Sequence, residues 1–189
     1  NFKILFEKES KKIEEEIRSG EYYFMGEFEL RHYPSASDSK SEKTFRDISI
    51  NPESPWMHRI FNLSSGKQIT FQIHHEPEDK LLEPLERMLA KYPNALVIWT
   101  HLGQIRYPDK QKIYSPEYVD ELLDKYNNLY FDLAVGRPGS IYPGSGFIHN
   151  TLQNSSGHLV PEWRDVIEKH PDRFTIGSDI GPTKFQDFP

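Results

Sequence analysis

Histidine and carboxylate side chains recur at the points where apolar, strand-like segments of this sequence end. His74 and His75 follow one such segment. His101 follows the next, and Asp179 follows the last. Cysteine is absent, so any metal site must use imidazole and carboxylate groups, which are the ligand types that suit zinc, iron or manganese. Because a divalent metal lowers the pKa of bound water from about 15.7 toward 7, such a site would make hydroxide available at neutral pH.

Each of these residues also has a simpler explanation when it is considered alone. A histidine at a strand end is more often a hydrogen-bonded structural residue than a metal ligand. Asp132, which ends another apolar segment, and Asp179 could each cap a turn. The combination favours a metal site, because the carboxyl ends of parallel strands meet at one edge of a sheet or barrel.

Strand-like and helix-like segments alternate along the chain, which predicts βαβ units and a parallel sheet. Five strands are expected, near Phe24, Phe71, Ile98, Phe131 and Ile176. Helices are expected over residues 4–18, 53–63, 78–92 and 161–170, with one more beginning at the Ser115-Pro116 pair. The apolar run from residue 95 to residue 100 is typical of a parallel strand that is buried on both faces.

The predicted fold class is α/β, as a single domain over residues 1–189. A TIM barrel needs eight strands and typically about 250 residues. We therefore interpret the chain as a partial (β/α)8 barrel, roughly strands 4 to 8, with the N-terminal strands missing. The alternative is a complete open α/β sheet. That alternative is weakened because no glycine-rich nucleotide loop follows any predicted strand.

Composition limits the classes of partner. The net charge is −6 and the pI is about 5.8, which argues against a nucleic-acid binder with a basic face. No stretch approaches the roughly 20 apolar residues of a membrane helix, so no membrane partner is expected. We expect a small-molecule substrate and allow for a homo-oligomer. A cytoplasmic location is favoured, with the periplasm as an alternative because a targeting segment could precede Asn1.

Four segments carry a resemblance to a known family: QIHHEP from Gln72, WTHLG from Trp99, YFDL from Tyr130 and IGSD from Ile176. In order and spacing they resemble the amidohydrolase superfamily. The nearest branch is the amidohydrolase-2 group, which contains the aminocarboxymuconate-semialdehyde-decarboxylase-like enzymes. The resemblance implies a hydrolase that acts on a C–N, C–O or lactone bond of a small molecule through a metal-activated water. It leaves two alternatives, a metal-dependent non-oxidative decarboxylase and a non-catalytic barrel relative that only binds a ligand.

The resemblance also implies roles for individual residues. His74 matches a metal ligand, and His75 is the weaker choice because strand alternation points it elsewhere. His101 matches a residue that is a catalytic acid/base in some relatives and a metal ligand in others. Asp179 matches a ligand that also accepts a proton from water. Glu27 resembles a bridging carboxylate, or it is a core-edge carboxylate paired with an arginine. The implied ion is most often zinc, with iron and manganese as alternatives.

One expected feature of the family is absent from the sequence. The first strand of the family ends in a His-x-His pair, and this chain has none. We therefore expect a C-terminal fragment that is inactive alone, with an enzyme as its parent. Arg31, Arg137 and the loop histidines His149 and His158 are candidates to bind a carboxylate or phosphate of the substrate, or they are solvated loop residues.

Overall fold

The structure, a computed structural model, describes residues 2–20, 22–34 and 47–179. In this part of the chain there are five helices: α1 (Phe2–Ser19), α2 (Pro55–Lys67), α3 (Asp79–Lys91), α4 (Pro116–Lys125) and α5 (Pro161–Lys169). The six strands are β1 (Phe24–His32), β2 (Ile48–Ser49), β3 (Thr70–His75), β4 (Leu96–Trp99), β5 (Leu129–Asp132) and β6 (Phe174–Thr175). None of the described helices is both long and apolar enough to span a membrane.

All six strands belong to one sheet, in the order β2-β1-β3-β4-β5-β6. β1 and β3 to β6 run parallel to one another, and β2 pairs antiparallel with β1 at one edge. The predicted α/β class is confirmed, and each of the five predicted strands is present. The sequence of residues 34–43, which is rich in serine, predicts a surface loop. This segment lies outside the described residues apart from Pro34.

Two helices begin with a serine cap followed by proline. The Ser115 hydroxyl accepts a hydrogen bond from the Tyr118 amide at 3.2 Å, directly before α4. The Ser54 hydroxyl does the same for the Met57 amide at 3.4 Å, before α2. Proline at the first helical position loses no hydrogen bond, because the amides of the first turn have no partner within the helix. The start predicted at Ser115-Pro116 is confirmed.

Two other helix predictions need correction. α2 does not finish before Gly66 but runs through it, because the left-handed cap position is filled by Gln68, whose φ is 53°. The Gln68 amide donates to the Ser64 carbonyl and closes the last turn. The sequence allows Pro84 either to kink α3 or to lie in its first turn; it lies inside α3, beyond the first turn, so the second of these predictions is wrong. α3 tolerates it at the cost of one backbone hydrogen bond.

The sheet buries one face more completely than the other. Side chains that point to the first face are almost inaccessible and pack with the apolar residues of α2 to α5: Phe71, Ile73, Val97, Trp99, Leu129 and Phe131. Side chains that alternate with them are only partly buried, among them Gln72, Leu96, Ile98 and Tyr130. The expectation that the 95–100 strand is buried on both faces is therefore wrong, because burial alternates along β4. We call the first face the core face and the second the site face.

β1 contains two irregularities that decide which of its residues reach the site face. It pairs in register with β3 from Phe24 to Met25, skips Gly26, and resumes with Glu27 opposite Gln72. A second skip, at Leu30, places Arg31 opposite His75. In a parallel ladder, paired residues point to the same face. The first bulge therefore puts Glu27 on the site face, and the second turns Arg31 to the core face.

Candidate functional site

Three predicted site residues meet at the carboxyl edge of the sheet. The Glu27 Oε1 atom lies 3.0 Å from His74 Nδ1 and 3.4 Å from His101 Nε2. It also accepts a hydrogen bond from the Thr100 hydroxyl at 2.9 Å. Glu27 therefore pairs with histidines, and not with an arginine as the alternative interpretation had it. We call Glu27, His74 and His101 the three-residue cluster.

His101 is held in an unusual backbone conformation. Its φ is 61°, a left-handed value that costs a residue with a side chain about 1–3 kcal/mol. Its amide donates to Asp132 Oδ1 at 2.8 Å, and its Nδ1 lies 2.7 Å from the Ala134 carbonyl. A proton on Nδ1, donated to this carbonyl, fixes the ring so that Nε2 faces Glu27. Asp132 also accepts from the Ala134 amide at 3.1 Å, so it holds together the loop that carries His101 and the loop that follows β5.

The two adjacent histidines of β3 have different environments because they point to opposite faces. His74 is on the site face, in the cluster. His75 is on the core face, 2% exposed, and its ring lies 5.2 Å from the Trp99 ring. Neither ring nitrogen of His75 has a hydrogen-bond partner of good geometry, and burial lowers its pKa to about 3. This placement agrees with the expectation that His74 is the better candidate ligand.

The contacts of the cluster shift the pKa values of all three groups. Burial would lower the pKa of His74, but the carboxylates of Glu27 and Glu76 outweigh it and raise the pKa to about 9. Burial likewise opposes protonation of His101, and Glu27 raises its pKa. Burial would raise the pKa of Glu27, but hydrogen bonds from His101 and His74 hold it well below the usual range. The cluster thus keeps an ionised carboxylate beside two imidazoles, and either a proton on His74 or a metal cation can balance its charge.

The spacing of the cluster fits a tetrahedral metal ion. Zinc bound at about 2.0–2.1 Å keeps its ligand atoms roughly 3.3 Å apart. The cluster offers one ligand atom from each residue, all within 4.8 Å of one another. The distances from Glu27 Oε1 to the two imidazole nitrogens, 3.0 and 3.4 Å, lie on either side of the tetrahedral value. Three ligands would leave one position for water, as in catalytic zinc sites.

A buried ion pair lies directly behind the cluster. Glu76, fully buried, is the first residue after β3, and its Oε2 is 3.0 Å from Arg106 Nε. Its Oε1 accepts a hydrogen bond from the Tyr33 amide at 2.9 Å. Arg106 also donates to the carbonyls of Tyr33 and Pro34, each at 3.1 Å. This network joins the end of β3 to the loops that follow β1 and β4.

The cluster opens into a cavity of about 880 Å³, which is large enough for a small-molecule substrate. His74 and His101 line its floor, with His32, Arg106, Tyr142 and His149 around them. The His149 ring lies 4.3 Å from the Tyr142 ring. A side chain at Gly136 would meet the same His149 ring at 2.6 Å. His149 therefore belongs to the cavity wall, where a residue that binds the substrate would have to lie.

Asp179 reaches the same cavity but does not join the cluster. It lines the wall beside Ser178, in the chain that follows β6, and its φ is 50°. Its carboxylate is not among the ligand atoms that lie within 4.8 Å of one another in the described part of the chain. The ligand and proton-acceptor roles of Asp179 stay predictions, and its position supports the second better than the first.

The two arginines proposed for the substrate lie elsewhere. Arg31 is 6% exposed and is bound to Glu78 at 2.6 Å and Asp47 at 2.7 Å. The bulge at Leu30 turned it to the core face, away from the cavity wall. Arg137 is exposed and does not line the cavity. The same is true of the loop residue His158, which is a solvated surface residue.

A further group with the composition of a metal site lies on the surface between α4 and α5. Asp120, Asp124 and His170 lie close enough to share an ion. Lys169 Nζ already binds both carboxylates, at 2.8 and 2.9 Å, and His170 Nε2 is 2.7 Å from Asp120. Because the lysine supplies the positive charge, we treat this group as a surface ion-pair network and use it below as a control.

Replacement of His75 by phenylalanine should leave the fold intact. The ring nitrogens of His75 contribute little to stability, because they have no hydrogen-bond partner of good geometry. His75→Phe is therefore expected to change the free energy of unfolding in urea by no more than about 1 kcal/mol, and we expect the variant to be the more stable chain. Metal binding should be unchanged. If His75→Phe abolished metal binding, the assignment of His74 as the ligand would be wrong.

Sequence patterns did not single out three residues that the structure brings to the cluster. His32 lies with its ring 4.8 Å from the His74 ring, and Glu76 and Arg106 form the ion pair. The positions of His32 and Glu76 at strand ends were a usable signal. Arg106 had none, because it lies in a loop whose path depends on tertiary contacts.

Comparisons of the chain with protein-family models, curated protein sequences and solved structures find no match. The resemblance to amidohydrolases therefore stays a prediction from four short segments. What the structure adds independently is a six-stranded, mostly parallel sheet and a group of Glu and His residues at its carboxyl edge that could hold a metal ion.

Proposed function

We propose that this chain carries the catalytic metal site of a metal-dependent hydrolase of the amidohydrolase type, which acts on a C–N, C–O or lactone bond of a small molecule. The observation that carries the proposal is the meeting of Glu27, His74 and His101 at the carboxyl edge of a parallel sheet, where the two histidines line a cavity. In α/β folds, ligands and catalytic groups collect at this edge.

We further propose that the parallel strands β1 and β3 to β6 correspond to strands 4 to 8 of a (β/α)8 barrel. Two features support a barrel over a doubly wound open sheet. The parallel strands are neighbours in chain order, whereas a doubly wound sheet reverses its order at a switch point. One face is packed against helices and the other is only partly buried, whereas a doubly wound sheet has helices on both faces.

The residues that would hold the ion are His74 through Nδ1, His101 through Nε2 and Glu27 through its carboxylate. Zinc is the ion that this set and spacing favour, and iron and manganese use the same ligand types. A bound divalent ion would supply a nucleophile at neutral pH by lowering the pKa of water.

The proton transfers of the reaction are assigned to side chains around the cavity. Asp179 is the carboxylate in the wall, and we assign it the acceptance of a proton from water there. If His101 is not a ligand, its Nε2 is the nitrogen that faces the cluster and can donate a proton to a leaving group. The cavity walls limit the substrate to a small molecule.

Equilibrium dialysis against Zn²⁺, followed by plasma mass spectrometry, tests the proposal. The wild-type chain is expected to retain about one equivalent of zinc, and His74→Ala and Glu27→Ala are each expected to retain almost none. His101→Ala separates the two roles of that residue. Loss of zinc makes it a ligand, and retention of zinc makes it an acid/base. Asp179→Ala is expected to retain the ion.

His170→Ala is the matched control, because it removes a histidine from the surface network of Asp120 and Asp124 and should leave the zinc content unchanged. Absence of stoichiometric zinc, iron and manganese binding by the wild-type chain would overturn the proposal and favour a barrel relative that only binds a ligand. If metal is bound, a panel of amides, esters and lactones tests hydrolysis, and release of CO₂ from a panel of small carboxylic acids tests the decarboxylase alternative.

A further inference from the structure

Glu76 is the one carboxylate beside the cluster that has no solvent exposure. A charge in such a position is costly unless it is paired and hydrogen-bonded. Here Arg106 Nε lies 3.0 Å from one oxygen, and the Tyr33 amide donates to the other at 2.9 Å. The carboxylate is therefore fixed in place by groups from two different loops.

The same carboxylate faces the side of His74 that is turned away from Glu27. Glu76 Oε1 lies 3.7 Å from His74 Nε2, whereas Glu27 Oε1 lies 3.0 Å from His74 Nδ1. Nε2 is buried and makes no hydrogen bond of good geometry. The two nitrogens of an imidazole are not equivalent, because the group that meets one of them decides which nitrogen carries the proton.

We infer that Glu76 is a positioning residue for the metal site: when His74 gives up its Nδ1 proton to bind an ion, Glu76, 3.7 Å from Nε2, is the acceptor that keeps the remaining proton on Nε2 and orients the ring. This inference rests on the proposed function. Histidine ligands of metals generally donate their other N–H to a carboxylate or carbonyl, which fixes the ring and raises its basicity. His101 follows the same rule, with its Nδ1 on the Ala134 carbonyl. The two imidazoles of the cluster would thus be oriented by two different kinds of acceptor.

A competing role for Glu76 is that of a ligand in a second cation site. His32, His74 and Glu76 are all buried, and their ligand atoms lie within 4.8 Å of one another. The guanidinium of Arg106 already neutralises Glu76, and a second cation beside it would be repelled in a site of low solvent access. The charges therefore favour orientation of His74 over ligation by Glu76.

The test compares Glu76→Gln with Glu78→Gln. Glu78 is also buried and lies two residues further on, but its partners are Arg31, Lys80 and Tyr33 and not His74. The affinity for Zn²⁺ is measured by competition with a chromogenic chelator. Glu76→Gln is expected to bind zinc about 10–100-fold more weakly than the wild-type chain, at unchanged stoichiometry. Glu78→Gln is expected to bind within about threefold of the wild type.

A second measurement does not depend on a variant that folds. Long-range ¹H–¹⁵N NMR spectra of the zinc-loaded wild-type chain report which nitrogen of each histidine carries a proton. The inference requires a proton on His74 Nε2 and zinc on Nδ1. The opposite arrangement overturns it, as does equal zinc affinity of Glu76→Gln and the wild type. Both of those results leave the proposed function standing. A wild-type chain that binds no metal would overturn the proposed function instead.

Discussion

Substitution of Arg106 by methionine is expected to lower the free energy of unfolding by about 3–5 kcal/mol. Methionine keeps much of the length and volume of the side chain but removes its charge. Glu76 would then be left fully buried without its guanidinium partner at 3.0 Å, and the imidazole of His74, 3.7 Å away, would be the cationic group that remains beside it. The carbonyls of Tyr33 and Pro34 would also lose their donor. Urea unfolding, monitored by tryptophan fluorescence, measures the change.

Arg87→Met provides the matched control. Arg87 also binds two carboxylates, Glu53 at 2.7 Å and Glu83 at 2.8 Å, but its side chain is 48% exposed. Solvent screens such pairs, so the loss should be much smaller than that of Arg106→Met. Adding Glu76→Gln to Arg106→Met should restore at least about 1 kcal/mol, because the unpaired charge is then gone. Similar losses in Arg106→Met and Arg87→Met would show that the buried pair has no special weight.

Substitution of Phe131 by alanine is expected to destabilise the chain by a similar amount, about 3–5 kcal/mol. Phe131 is fully buried on the core face of β5, with its ring centroid 5.5 Å from that of Trp99 and 6.3 Å from that of Phe174. Truncation would leave a cavity between three strands. The next residue, Asp132, holds the amide of His101, so metal affinity should fall together with stability. Unfolding and zinc titration of the same variant measure the two effects.

Phe24→Ala makes the same chemical change at the start of β1, where the side chain is 42% exposed. Its loss should be about 1 kcal/mol or less, with no effect on zinc affinity. Phe131→Leu keeps most of the apolar volume and should cost less than about 1.5 kcal/mol. If Phe131→Ala were no worse than Phe24→Ala, the core face would not be packed as described.

The strands at the centre of the sheet could be predicted because their patterns are local. Around Phe71, Ile98 and Phe131, apolar residues are dense and bounded by turn or helix signals. β2 could not be predicted in the same way. Its two residues, Ile48 and Ser49, carry no pattern, and the strand exists because β1 offers a free edge to pair with.

In the site, too, the features set by local sequence could be predicted and those set by strand pairing could not. His74 could be chosen over His75 because alternation along a strand is a local rule. The partners of Glu27 and the burial of Arg31 away from the cavity both depend on the bulges in β1, which no periodicity reveals. The pairing of Glu76 with Arg106 joins residues 30 positions apart through loop paths that only the folded chain defines. Residue type therefore identified candidates for the site, and register decided which of them meet.

The bulge at Gly26 decides to which face of the sheet the side chain of Glu27 points. If β1 paired with β3 without this bulge, Gly26 would lie opposite Gln72, and Glu27 would lie opposite Ile73 and would point its carboxylate into the core. Two homologous chains could then contain the same glutamate and the same histidines, and only one of them would have the cluster. The register of β1 against β3, and not the identity of the aligned residues, would separate the two kinds.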